Sequence, residues 1–417
     1  MKVSIIGSGI IGLFSAYYLL QEGYEVEIFE QSDRGDGCSF GNAGMIVPSH
    51  FIPLAAPGMF EKGFEWMMDA ESPFYVKPRL DLSLLRWGWE FKKAATKKRV
   101  DKAMPVLRDF ALLSKKLYKE FSSHEKAGFG LEEKGLLLLC KDEELLREEI
   151  HVAETAKKMG LEARVVDKAG IAQLERQVDI DASGGVYYPG DMHCTPQVLM
   201  PFLIEILRER GVKINYNSKL TGINKNKNRI QSISIQTDQG VREYETEKLL
   251  LAAGSWSEQL ARLFDVRIPM QAGKGYSFVQ SNAGVHIPSI LVDGRVAVTP
   301  FENGNIRFGG TMEIAGINRE VNMKRVNGIL KTVRSFYPQM DVKAPSEDQV
   351  WHGLRPCSPD GLPYIGKLKS AENLYIASGH AMMGLSLAPA TGKLLAEMMA
   401  GRNPELDCTL FEPLRFD

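Results

Sequence analysis

Residues 3–6 (Val-Ser-Ile-Ile) form a short apolar run that reads as a buried strand. Gly12–Leu20 reads as a helix and Glu25–Phe29 as a second strand, so the chain opens on a β-α-β unit. Residues 50–80 mix proline, glycine and aromatics without a period and read as irregular. Residues 82–122 read as mostly helical, with Trp87, Trp89, Leu107, Phe110, Leu113 and Leu117 at helical spacings that suit core packing. Residues 135–140 (Gly-Leu-Leu-Leu-Leu-Cys) are an apolar strand, followed by charged helical segments to about Lys168. Thr195 as an N-cap, Pro196 behind it and Gly211 as a stop delimit a helix over 195–211. Strands follow at 213–216, 229–236 and 247–253, then a strand-rich region over 271–313, a helix over 321–337, a strand near 373–377 and a helix from about 384 to 400.

Strands of two styles interleave along the chain, which predicts an α/β fold (α+β overall) of two discontinuous domains. Residues 1–80, 195–262 and 346–417 are expected to form the first, a Rossmann-type domain. Residues 81–194 and 263–345 are expected to form the second, a mixed sheet, with the helices of 82–122 able to pack on either.

At 417 residues two to three domains are expected, and 44% hydrophobic with 25% charged residues is an ordinary soluble composition. The net charge of −1 supplies no basic field for nucleic acid. Cys38, Cys140, Cys194, Cys357 and Cys408 are scattered, odd in number and without a CxxC pair, which fits reduced thiols in a cytoplasm. Lys2 and the apolar stretch to Leu20 resemble a short signal peptide, but the glycines inside it and the missing cleavage site speak against one. No apolar run is long enough to predict a spanning helix, and no His/Cys cluster has metal-ligand spacing.

The segment Gly7-Ser8-Gly9-Ile10-Ile11-Gly12 follows a strand and opens a helix. Gly7 permits the tight turn, Gly9 lets the backbone approach a pyrophosphate, and Gly12 lets helix and strand close up. The helix N-terminus offers free N–H groups and partial positive charge to phosphate. Glu30, beside Gln31 at the end of the second strand, is placed to accept ribose hydroxyls and would repel a 2′-phosphate, which argues against NADP. Such a motif predicts a dinucleotide but does not by itself choose between NAD and FAD.

Further segments make that choice. They are Ser39-Phe40-Gly41-Asn42-Ala43-Gly44-Met45, Leu251-Ala252-Ala253-Gly254-Ser255-Trp256, Gly353-Leu354-Arg355-Pro356, Pro359-Asp360-Gly361 and Ser378-Gly379-His380. In this order they resemble the D-amino acid oxidase superfamily of FAD flavoproteins over nearly the whole chain. The likeness is greatest to bacterial D-amino acid dehydrogenases, including members acting on D-hydroxyproline, with glycine and sarcosine oxidases as relatives. The resemblance implies an FAD domain and a second domain that covers the flavin and forms the substrate pocket. It implies that Asn42–Met45 passes the isoalloxazine ring, that the Leu220 backbone meets adenine, that Ala252, Ala253 and Gly254 lie near phosphates and ribose, and that Trp256 belongs to the cofactor site. Gly353, Arg355 and the Gly379, Met382, Met383, Gly384, Leu385 and Ser386 stretch are implied around the ring. Sarcosine oxidases hold flavin through a cysteine whose place, counted from Asp360, is Gly353 here, with Cys357 out of register, so noncovalent FAD is expected.

The implied reaction is oxidation of a small amino or imino acid, most of all a D-amino acid (D-proline or hydroxy-D-proline among them), with hydride passing from Cα to flavin N5. Arg355 is expected to fork onto the substrate carboxylate, with a structural arginine paired to Asp360 or a carbonyl as the alternative. His50, Tyr276 and His380 are the other candidate catalytic residues, and His352 a weaker one. The glycine oxidase-like arginine near Met382 is absent, so that pocket is not simply copied. An oxygen-using glycine- or sarcosine-type oxidase is the competing enzyme, and a flavin-binding protein without turnover the remote one. Lys92, Lys93, Lys97, Lys98, Arg99 and Lys102 follow Trp87-Gly88-Trp89, a mixture that suits either a solvated helix or peripheral contact with an anionic membrane, where a quinone would be the electron acceptor.

Overall fold

The computed structural model describes residues 1–33, 37–58, 71–125, 128–281 and 284–417. Residues 59–70, within the stretch expected to be irregular, lie outside the described residues. The opening unit forms as expected: strand Lys2–Ile6, helix Ile10–Gln21 and strand Glu25–Phe29, the two strands parallel with Ile6 opposite Phe29. Buried apolar residues cover the helix all round, because it is sandwiched between this sheet and other helices.

Six strands make the first sheet, in the spatial order Tyr364–Lys367, Leu374–Ser378, Lys248–Leu251, Lys2–Ile6, Glu25–Phe29, Lys213–Asn215. All but the first run parallel; Lys2–Ile6, Lys248–Leu251 and Leu374–Ser378 are near-continuous buried runs of the kind covered on both faces, while the edge strand Lys213–Asn215 is not buried. Helices Ile10–Gln21, Pro196–Glu209 and Ala388–Met399 cover one face. An antiparallel meander (Lys219–Asn226, Arg229–Thr237, Gly240–Glu245) packs Leu220, Ile230, Ile233 and Ile235 over the other. Only the middle strand of that meander was expected, since the flanking two are too polar to show an apolar period.

The second sheet has nine mixed strands, drawn from 74–76, 136–140, 164–167, 184–188, 271–314 and 351–357. Phe74–Val76 and Trp351–Cys357 belong to it, although 1–80 and 346–417 were assigned to the other domain; each finds its hydrogen-bonding partners on the strands at 305–314 and 271–281. Lys97–His124, which the sequence left able to pack on either domain, buries Leu107, Phe110, Leu117 and Phe121 against the helices of the first sheet. The charged segment after Cys140 is helical at Glu143–Lys158 but then forms a strand, Arg164–Asp167, before the short helix Lys168–Leu174. Thr195 precedes its helix without a side-chain cap bond, while Gly211 ends it at φ +87°.

Candidate active site

A cavity of about 1680 Å³ runs from the carboxyl ends of Lys2–Ile6 and Glu25–Phe29 to the face of the nine-stranded sheet. That exceeds the roughly 300–1,000 Å³ of a site for one small ligand. The glycine turn shapes its first end. Gly7 sits at φ +111°, and a Cβ there would meet Ala252 O at 2.5 Å. A Cβ on Gly12 would meet Gly7 O at 2.1 Å, so only glycine lets the helix close on the strand. Gly9 differs: the nearest atom to a built Cβ is Ser39 Oγ at 3.6 Å. Its bareness keeps the wall open to a ligand instead of serving the packing. Ser39 Oγ accepts from Ile10 N at 3.0 Å. Glu30 accepts from Ser8 N (2.9 Å), Ser8 Oγ (3.1 Å), Ser32 N (3.1 Å) and Ser32 Oγ (2.9 Å), which fixes the carboxylate at the cavity edge.

Gly7–Ile11, Glu30, Gln31, Ser39, Asn42, Ala43, Met45, Leu220, Ala253, Gly254, Trp256, Gly353, Arg355 and Met382–Leu385 all line this cavity. Gly12, Gly44, Gly379 and Ser386 stand behind the wall. Gly44 (φ +79°) packs on Cys194 O, Gly379 (φ +80°) packs on the Tyr364 ring, and Ser386 Oγ accepts from Val47 N at 3.0 Å. Asn42 Oδ1 accepts from Gly44 N at 2.9 Å, holding the Asn42–Met45 turn. The cradle, the carboxylate and the length of the cavity together fit an adenine dinucleotide whose far end meets the second sheet.

At that far end, Arg355 lies flat across Gly275, where a Cβ would stand 2.1 Å from Nη1. Nη1 donates to Thr311 O at 2.6 Å. Asp360 is not its partner; Arg415 takes that carboxylate at 2.7 and 2.8 Å. Among the described residues no carboxylate pairs with Arg355. Thr311 sits at a bulge where Lys274 pairs with Glu313 and Tyr276 with Gly310, and its φ of +62° is a strained conformation for a β-branched residue. The bulge turns the Thr311 carbonyl to the guanidinium.

Tyr276 lines the cavity, but its hydroxyl donates to Glu313 Oε2 (2.9 Å) and accepts from Asn322 N (3.2 Å). Burial and Glu313 raise its pKa, so the hydroxyl stays protonated within the wall. His50 lines the cavity with a pKa lowered by burial and by Arg295. The neighbouring Ser49 is fastened by its N–H (3.2 Å) and its hydroxyl to the buried Asp191, whose carboxyl burial pushes up to about 7. His380 is deep: Nε2 meets Thr391 Oγ1 at 3.0 Å, and that hydroxyl gives its own proton to Leu387 O. Nε2 therefore carries the hydrogen, Nδ1 is a buried acceptor without a protein partner, and burial drops the pKa to about 3. Such a ring resists charging and is poorly suited to proton shuttling. His352, opposite Tyr276 in the sheet, also lines the cavity.

Sequence reading missed Arg307. It is buried, lines the cavity and donates from Nη1 to Asn42 O at 2.5 Å and Phe40 O at 3.4 Å. Burial lowers its pKa to about 10, and no carboxylate pairs with it among the described residues. Trp351 was missed too; the bareness of Gly41 and Gly353 makes room for its indole, which a Cβ on either would strike.

The family model for FAD-dependent oxidoreductases matches residues 2–398. D-amino acid dehydrogenase of Granulibacter bethesdensis is 30% identical over 98% of this chain and 97% of its own length. The chain belongs to the FAD-dependent oxidoreductase family. This FAD-dependent oxidoreductase is also 28% identical to D-amino acid dehydrogenase of Vibrio vulnificus, over 97% of each chain. In fold it is similar to glycine oxidase from Geobacillus kaustophilus (TM-score 0.80, 20% identity, 100% of this chain and 99% of that one). L-proline dehydrogenase from P. horikoshii is similar with a TM-score of 0.73 and 19% identity, over 100% and 97%. The enzyme uses FAD, and the glycine turn around Gly9 with the fixed Glu30 carboxylate is a cradle of the kind that suits a diphosphate and a ribose.

Proposed function

We propose that this enzyme dehydrogenates a small D-amino or cyclic D-imino acid and passes the electrons to a carrier other than oxygen, a membrane quinone by preference. The observation that carries the reading is Arg355, a guanidinium in the wall of the FAD cavity without an acidic partner, carried by the nine-stranded sheet and not by the sheet that holds the glycine turn. The names of the full-length relatives support the D-configuration. Bound FAD supplies the two-electron acceptor for the substrate Cα–H.

The chain's own contribution is binding and placement. With Nη1 held by Thr311 O, the remaining N–H groups of Arg355 fork onto the substrate carboxylate. His380 is neutral and fixed and the Tyr276 hydroxyl is committed, which leaves the neutral His50 of the cavity wall as the candidate proton acceptor; when the amine binds uncharged, no side chain need take its proton before hydride leaves. The substrate loses two electrons and two protons to become the imine, which water hydrolyses to keto acid and ammonia when the amine is primary. FAD is held noncovalently: Gly353 has no side chain to bond it, Cys357 stands behind the wall with a thiol raised to about 12 by burial, and the thiol of Cys38, which lines the cavity, is likewise kept protonated by burial.

Anaerobic titration of the yellow holoenzyme with D- and L-amino acids, D-proline, hydroxy-D-proline, glycine and sarcosine tests the proposal. Bleaching by D-compounds with negligible peroxide on aeration is expected, and acid precipitation should release the flavin. Bleaching by no carboxylate-bearing amine would overturn the assignment; rapid peroxide formation would make the enzyme an oxidase.

A further inference from the structure

Helix Leu82–Ala94 turns Trp87, Phe91 and Ala94 inward and leaves a different stripe outside. Leu82, Leu85 and Trp89 fall at i, i+3 and i+7 and are 84%, 64% and 59% exposed. Leu80, just before the helix, is wholly exposed. An apolar stripe of this size on the outside of a globular chain costs free energy unless something covers it. The stripe does not end at the helix. Arg79 bonds Asp81 at 3.0 Å and Ile314 O at 3.3 Å, which sets Leu80 beside the segment that carries the exposed Ile317.

This apolar ground borders the active-site cavity. Leu85, Trp89, Lys92 and Ile317 are exposed and also line the cavity, so it reaches the surface between the helix and the segment around Ile317. Residues 92–102 then supply six basic side chains against one acid, Asp101, all of them exposed, in a chain whose net charge is −1. Asp81 and Glu90, the acids of the helix and its cap, are tied to Arg79 and Lys93. Lys93 Nζ also lies 5.5 Å from the Trp89 ring centroid, an arrangement of cation and indole suited to a headgroup layer.

We propose that this face docks on an anionic lipid bilayer and sets the cavity mouth against the lipid, so that a lipid-dissolved quinone reaches the cavity without crossing water. The exposed leucines and Trp89 enter the acyl boundary, and Lys97, Lys98, Arg99 and Lys102 meet anionic headgroups. Attachment is peripheral, since no helix among the described residues is long and apolar enough to cross a membrane. The choice of a quinone rests on the proposed function; the choice of a bilayer rests on the surface alone.

The test is flotation of the holoenzyme with vesicles of phosphatidylcholine alone or with roughly one-third phosphatidylglycerol, at low and high salt. Flotation with the anionic vesicles only, reversed by salt, is expected. Lys97→Gln and Lys98→Gln should each weaken it roughly fivefold, and Leu82→Ser should weaken it without changing its salt dependence. None of these three residues lines the cavity, so turnover with a soluble dye should stay at the wild-type rate in every variant. Turnover with a quinone dissolved in the vesicles should fall with flotation. No flotation at low salt, or variants that float like the wild type, would overturn the proposal. So would sedimentation showing a dimer that Leu82→Ser dissociates, because a second copy would then cover the face. Flotation needs no substrate, so a protein that floats but is bleached by no amino acid refutes the proposed function and leaves the surface standing, while the converse refutes only the surface.

Discussion

Replacing Arg355 separates its two contacts. Nη1 holds the Thr311 carbonyl at 2.6 Å, inside the protein, and the rest of the fork faces the cavity. In Arg355→Met both contacts go. A carboxylate ligand then loses a charge-assisted, two-pronged partner in a partly desolvated site, a loss of about 2–5 kcal/mol. At about 1.4 kcal/mol per factor of ten, binding should weaken between roughly 30-fold and several thousandfold. Arg355→Lys keeps the charge, but a single ammonium cannot satisfy Thr311 O and clamp a carboxylate at two points, so an intermediate loss is expected. The assay is anaerobic stopped-flow reduction of the flavin by D-alanine, with the dissociation constants of substrate and of a simple carboxylate competitor measured alongside FAD content. Weaker binding of both carboxylates with FAD content unchanged supports the assignment. Competitor affinity within threefold of wild type in Arg355→Met would refute it and leave Arg355 a brace for the Thr311 bulge.

Three further outcomes follow from the geometry. Gly9→Ala meets only Ser39 Oγ at 3.6 Å and Gly9 has an ordinary φ of −68°, so folding should be unaffected while FAD affinity falls by about tenfold or more; Gly7→Ala, at φ +111° against Ala252 O, should instead fail to fold, and equal FAD affinity in Gly9→Ala would sink the cradle. The buried Asp191 carboxyl, raised from 3.8 to about 7, favours the folded state fully below its unfolded pKa, and that contribution disappears as pH rises through about 7. Three units correspond to roughly 4 kcal/mol, so the stability of wild type relative to Asp191→Asn should drop by about that between pH 4 and 8 in urea unfolding, and parallel pH profiles would contradict it. Arg307→Met removes a buried cation and the anchor of Phe40 O and Asn42 O, so the midpoint potential of the bound FAD should fall by about 30 mV or more; a potential unchanged within error would show that its charge is not felt at the cofactor.

What could be read from the chain and what could not divides by how locally the physics is written. The dinucleotide cradle is contiguous: Gly7, Gly9, Gly12 and Glu30 lie within one β-α-β unit, and each glycine answers a constraint set by its immediate neighbours. The far wall is not contiguous. Arg355 reaches Thr311 across the single strand Gln271–Ser281, with which both of their own strands pair, and Gly275 matters because that guanidinium lies over it. A strand's period-two pattern says that Arg307 shares a face with Gly309 and Thr311, not that this face looks into a cavity. A threonine at φ +62° is what local preference opposes, so no sequence rule would place it there. His50 was legible as a polar residue after the flavin loop, but the clamp that fixes its neighbour, Asp191 on Ser49, joins residues 142 positions apart. The same reasoning explains the misplaced strands at 74–76 and 351–357: each is short, and what decides its sheet is the edge available to hydrogen-bond it. The glycine turn and its carboxylate were thus readable because they are local features of one β-α-β unit. The proposed substrate contact was legible as one residue only, Arg355, because the wall around it is made of side chains that the sheet gathers from separate strands.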